Sequence, residues 1–142
     1  MPLTSFGSIL TFAEDFEIQD MAFYSEAVKF TESDEQTALM ESFIKEGKKL
    51  IAIVQRTRRE NVTEMILEPI QDFVRAPFCT EEHECIGMTG ATIMKTARRL
   101  EQRSIDYYNA AAIKIKALPE VAVALKLLAK KHTARLNQVN TI

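Results

Sequence analysis

Three glutamates and one histidine fall where the helical pattern of the chain calls for apolar side chains. Glu17 shares the spacing of Leu10, Ala13, Tyr24 and Ala27; Glu46 shares that of Leu39, Phe43, Leu50 and Ile53. Glu101 falls in register with Ile93, Ala97, Leu100, Ser104, Tyr108 and Ala111, and His132 with Val121, Leu125, Leu128, Leu136 and Val139. Steps of three, four and seven keep residues on one helical face. A carboxylate on such a face is buried, at high cost unless it is paired or binds a metal. Four polar groups, one from each of four helices, would converge at the centre of a bundle. There they can hold a metal ion through oxygen and nitrogen, or neutralise one another as a buried ion-pair and hydrogen-bond cluster.

The chain also repeats itself. Glu17-Ile-Gln-Asp-Met-Ala-Phe-Tyr24-Ser-Glu-Ala aligns with Glu101-Gln-Arg-Ser-Ile-Asp-Tyr-Tyr108-Asn-Ala-Ala, so both halves place a tyrosine seven residues after a glutamate. Seven residues make nearly two turns, which puts each tyrosine on its glutamate's face and within reach of a central polar site. Glu46-Gly-Lys-Lys49-Leu and Ala129-Lys-Lys-His132-Thr repeat more faintly. These residues resemble the ligand pattern of the ferritin-like, rubrerythrin-like di-iron carboxylate superfamily. There, two helices each give a lone glutamate and two others each give a Glu-x-x-His pair. Glu17 and Glu101 match the lone glutamates, and Glu46 opens one pair, with Lys49 where its histidine would stand. His132 closes the other pair, with Ala129 where its glutamate would stand.

The resemblance implies a metal set of Glu17, Glu46, Glu101 and His132, with Lys49, Tyr24 and Tyr108 around it. Glu101, His132 and Glu46 would surround one ion rather than two, iron or manganese in preference to zinc. In the other half-site the Lys49 ammonium would neutralise Glu17 and Glu46 in place of the lost ion. The implied fold is all-α, a ferritin-like four-helix bundle with a long crossover between helices 2 and 3.

The elements that must position these residues can be read independently. The first apolar stripe predicts a helix over 5–31. Ser33 caps the next, with Gln36 three places on as in a capping box, and that helix lasts over 34–60. Pro69, Pro77, Gly87 and the polar run Thr80 to Glu84 make 61–88 a connection, with room for a short helix over Thr63 to Phe73. A third helix covers 89–116. Pro119 suits the first turn of a fourth, over 119–139. Connections that run short, long, short point to one long crossover, against the alternative of an up-down-up-down bundle with a decorated middle loop.

The whole of residues 1–142 reads as a single domain. Hydrophobic residues make up 46% and charged residues 27%, the net charge is −2, and acids and bases are interspersed. This leaves no basic face for nucleic acid or anionic lipid. No apolar run reaches the roughly 20 residues of a membrane span, and Lys29 is the first lysine, so a cytoplasmic protein is expected. Two cysteines cannot form a four-cysteine iron site, so any electrons would come from an external donor. Cys79, His83 and Cys85 gather thiols and an imidazole in a spacing that matches no strong zinc signature and reads as a polar loop. Arg56 to Arg59 and Lys126 to Arg135 read as solvated helix ends. Met21, Met40, Met65, Met88 and Met94 read as core filler. No nucleophile with a partnered base and no phosphate-binding loop is present.

Two functions from different classes follow. In the first, which the rubrerythrin-like resemblance implies, the protein is a non-haem iron or manganese oxidoreductase that handles iron or reduces peroxide or dioxygen at Glu17, Glu46, Glu101 and His132. In the second it is a metal-free bundle that acts as an interaction or structural protein by self-association, as a homodimer.

Overall fold

The computed structural model describes residues 6–60, 88–115 and 118–141. Of the expected connection 61–88, residues 61–87, among them the short helix expected over Thr63 to Phe73, lie outside the described residues. Among the described residues four α-helices form: α1 (Phe6–Ala27), α2 (Asp34–Glu60), α3 (Gly90–Lys114) and α4 (Pro119–Asn140). A 3-10 turn, Val28–Phe30, continues α1, so the expected helix over 5–31 ends in a tighter turn. Local chemistry sets the starts. Ser33 Oγ accepts from the Gln36 amide, and Gln36 Oε1 accepts from the amide of Glu32, one residue before the cap. Thr89 Oγ1 accepts from the Thr92 amide at the head of α3, and Pro119 opens α4.

The cross-helix contacts fix the directions. Arg58, near the end of α2, reaches Thr11 at 3.3 Å and Glu14 at 3.5 Å near the start of α1. Arg98 on α3 donates to Asn140 at the end of α4 at 3.1 Å. Each pair is therefore an antiparallel hairpin. Tyr107 on α3 donates to the Ile9 carbonyl on α1 at 2.7 Å, while Tyr24 reaches Glu101, so α1 and α3 also run antiparallel. The heads of α2 and α3 meet: a Cβ on Gly90 would come 2.3 Å from Gln36 Oε1. Helices α2 and α3 are thus parallel, and the chain leaves α2 at one end of the bundle and enters α3 at the other. An up-down-up-down order would make them antiparallel. The observed order is the one a single long crossover requires.

Two apolar clusters fill the interior. Ile9, Leu10, Phe16, Leu50, Val54, Tyr107, Leu125 and Leu128 pack at one end, and Phe23, Met40, Phe43, Ile93, Met94, Leu100 and Val139 at the other. Gly47 on α2 faces α1, where an added Cβ would meet the Met21 side chain at 3.3 Å. That close approach turns α2 so that Met40, Phe43, Gly47, Leu50, Val54 and Thr57 form its buried face.

Candidate functional site: a buried charge cluster

Between the two clusters lies a polar layer. Among the described residues the buried ionisable side chains of opposite charge number three on each side: Glu17, Asp20 and Glu101 against Arg103, His132 and Arg135. Helices α1, α3 and α4 all contribute because Glu17, Asp20, Glu101, His132 and Arg135 occupy their inward faces.

His132, on α4, is fully buried and uses both ring nitrogens. Nε2 meets Glu17 Oε1 at 2.5 Å and Nδ1 meets Glu101 Oε2; a carboxylate oxygen accepts, so both ring nitrogens donate. Two N–H donors on one imidazole require the protonated ring. Burial opposes that charge, but the Glu17 and Glu101 carboxylates outweigh it and lift the His132 pKa to about 10. Burial likewise opposes ionisation of Glu101, yet His132 and Arg135 hold its carboxyl below the ordinary value.

The two tyrosines cross between the repeats. Tyr24 Oη donates to Glu101 at 2.9 Å, and Tyr108 Oη donates to Glu17 at 2.8 Å. Each repeat thus supplies a tyrosine to the other repeat's glutamate, and His132 bridges the two carboxylates. Burial drives both phenol pKa values well up, so both remain neutral donors. Tyr108 also stacks on His132, with ring centroids 5.6 Å apart. Removal of either hydroxyl is expected to cost about 1.5–3 kcal/mol, the worth of a hydrogen bond to a charged group. Urea denaturation of Tyr24→Phe and Tyr108→Phe checks this; losses within error would show that the hydroxyls are not bound to ionised carboxylates.

Sequence reasoning missed Arg135. Its side chain is 2% exposed, and its guanidinium lies over the rings of Phe43 at 4.3 Å and Tyr24 at 5.2 Å. Nη2 donates to the Phe43 carbonyl at 3.1 Å, and Nε stands 3.4 Å from Glu101 Oε1 and 3.6 Å from Glu46 Oε1. Burial opposes the charge, but Glu101 and the surrounding acids raise the Arg135 pKa above its ordinary value. Arg135 is therefore not part of a solvated helix end. Arg103 and Asp20 form a second buried ion pair, with Arg103 also over the Phe16 ring at 4.4 Å. Asp20 Oδ2 and two guanidinium nitrogens of Arg103 find no hydrogen-bond partner among the described residues. Burial, with Glu101 and Glu17 nearby, raises the Asp20 pKa to about 7 against the opposing pull of Arg103.

Two expected positions are corrected. Lys49 is exposed and is not an internal cation. At about 100° per residue it lies about 160° around the helix from Gly47, which points inward. Glu46 sits at the edge of the layer, with its side chain 42% exposed, and among the described residues it meets the cluster through Arg135. Lys49→Met should accordingly change stability by no more than about 0.5 kcal/mol, as for an ordinary surface substitution. A larger loss in thermal unfolding would contradict the placement.

Both nitrogens of His132 are engaged, Glu17 Oε1 accepts from two donors, and both Glu101 oxygens face donors or a cation. Ala129 is buried and offers no ligand. Among the described residues no group of three or more His, Cys, Asp or Glu side chains is arranged to hold a metal. The residues present do not fit a di-metal centre. Cys79, His83 and Cys85 lie outside the described residues. No described helix is long and apolar enough to cross a membrane. Comparison with protein-family models, curated proteins and solved structures finds no match.

Proposed function

We propose that the protein is a metal-free bundle of ferritin-like design that acts through its surface as an interaction or structural protein, with a core closed by its own cations. The matching of Glu17, Asp20 and Glu101 by Arg103, His132 and Arg135 carries this reading. Such a layer has no uncompensated charge for an iron or manganese ion to satisfy. Both ring nitrogens of His132 are also taken up by Glu17 and Glu101, which leaves neither facing a metal position. A role in two-electron redox chemistry finds no support in this donor set.

The surface reading draws on Ile113, 62% exposed, and on Val123 and Leu127, 66% and 46% exposed. These large apolar side chains lie towards the end of α3 and the first half of α4, and self-association as a dimer would cover such groups. Protein purified without chelators should contain iron, manganese and zinc far below one atom per chain by elemental analysis. One firmly held atom per chain would overturn the metal-free reading. Sedimentation equilibrium tests self-association, and a monomer at every concentration would remove it.

A further inference from the structure

We propose that the Arg135 guanidinium is a built-in substitute for a metal ion: it draws Glu101 and Glu46 together and closes the cluster to divalent cations, so that its removal opens a divalent-cation site. This inference rests on the metal-free reading and goes beyond it by assigning the exclusion to one side chain.

Three observations support it. Glu46 on α2 and Glu101 on α3 belong to different hairpins, and Arg135 is the cation that stands between them, at 3.6 and 3.4 Å. The contact also lacks the directional character of a carboxylate fork. Among the described residues Arg135 Nε and Glu46 Oε1 are both buried without a hydrogen-bond partner, so their attraction is that of point charges. A small cation can reproduce it. Finally, the guanidinium is held in place by neutral contacts, the Phe43 carbonyl and the faces of Phe43 and Tyr24. Truncation at residue 135 would therefore leave a space lined by carboxylate oxygens and aromatic faces.

The test compares the wild type with Arg135→Ala and Arg135→Gln by Co2+ titration, using visible absorption, equilibrium dialysis and thermal unfolding. The wild type should bind no Co2+ at stoichiometric concentration. Arg135→Ala should bind one ion per chain, roughly 100-fold or more above the wild type, with a rise in melting temperature of about 5–10 °C at saturating Co2+. Addition of Glu46→Gln to that variant should abolish the gain. Guanidinium chloride at low millimolar concentration should raise the melting temperature of Arg135→Ala and leave that of the wild type unchanged. If Arg135→Ala does not fold, Arg135→Gln, whose amide can still donate to the Phe43 carbonyl, takes its place. A folded variant that binds no more Co2+ than the wild type overturns the inference, as does failure of both variants to fold in Co2+ as well as without it. Stoichiometric Co2+ in the wild type would instead overturn the metal-free reading beneath it.

Discussion

His132→Leu is expected to destabilise the protein by about 3–5 kcal/mol, the cost of removing one partner from a buried ion pair. Leucine fills the space but takes away the positive charge between Glu17 and Glu101, both essentially inaccessible to water. Two carboxylates would then face each other across a dry gap, each still held by one tyrosine. One would take up a proton, so the carboxyl pKa values of the pair should rise well above the ordinary range. For a chain of this size the loss corresponds to a fall of roughly 10–20 °C in melting temperature. A second change locates the cause: Glu17→Gln in the leucine background should recover part of the loss, because it removes the carboxylate left without a cation, whereas Glu101 keeps Arg135. A melting temperature within about 2 °C of the parent for His132→Leu alone would show that the ring is not the charge that holds the layer together.

Stability should be greatest near pH 5 and fall from there to pH 10. His132 has a folded pKa of about 10 against 6.5 for the free side chain. Its contribution is complete below pH 6.5 and is lost as the pH rises through 10. Asp20 acts in the same direction at lower pH: raised from 3.8 to about 7, its contribution is complete below pH 3.8 and lost as the pH rises through 7. Glu101 acts the other way, since its pKa is lowered from 4.5; its contribution is present above pH 4.5 and lost on acidification. The optimum falls where the Glu101 contribution is retained and the other two are not yet spent. At about 1.4 kcal/mol per unit, the His132 contribution alone is on the order of several kcal/mol. Denaturant unfolding at half-unit pH steps checks the profile. His132→Leu should abolish the fall above pH 7, and a parent profile that is flat from pH 7 to 10 would refute a protonated imidazole.

Much of this architecture was legible because it rests on periodicity. Helix α3 was read correctly along its inner face: Ile93, Ala97, Leu100, Glu101, Ser104, Tyr108 and Ala111 are all buried. Glu17 and His132 were found for the same reason, and the seven-residue step from glutamate to tyrosine placed Tyr24 and Tyr108 beside the site. The inner face of α2 was read one position away from its true centre. Gly47 carries no apolar side chain to mark the face it occupies, so the stripe was drawn through Glu46 and Ile53, which sit at its edge. That shift brought Lys49 in and left the true cation unnoticed. Arg135 lies three residues after His132 and four before Val139, a better fit to the face of α4 than Leu136. Its charge led it to be assigned to the surface. Asp20, between Glu17 and Tyr24 at steps of three and four, was passed over similarly. Periodicity places a residue on a face, whereas the partner that makes a buried charge tolerable comes from another helix, and no spacing along one helix reveals it.

The distribution of the buried charges over the two hairpins bears on how the halves find each other. The α1–α2 hairpin brings Glu17 and Asp20, both acidic, while the α3–α4 hairpin brings Arg103, His132 and Arg135 with Glu101 as the sole acid. Neither hairpin alone balances its own interior, so each is a poor fold in isolation and attracts the other from a distance. A purely apolar seam would tolerate a slip of one helical turn, about 5.4 Å, at modest cost. Here the same slip would break the Glu17–His132 and Asp20–Arg103 pairs and strand those charges in a dry interface. The polar layer thus acts as a registration key: it lets the two halves dock in one alignment and rejects neighbouring alignments that an oily surface would accept.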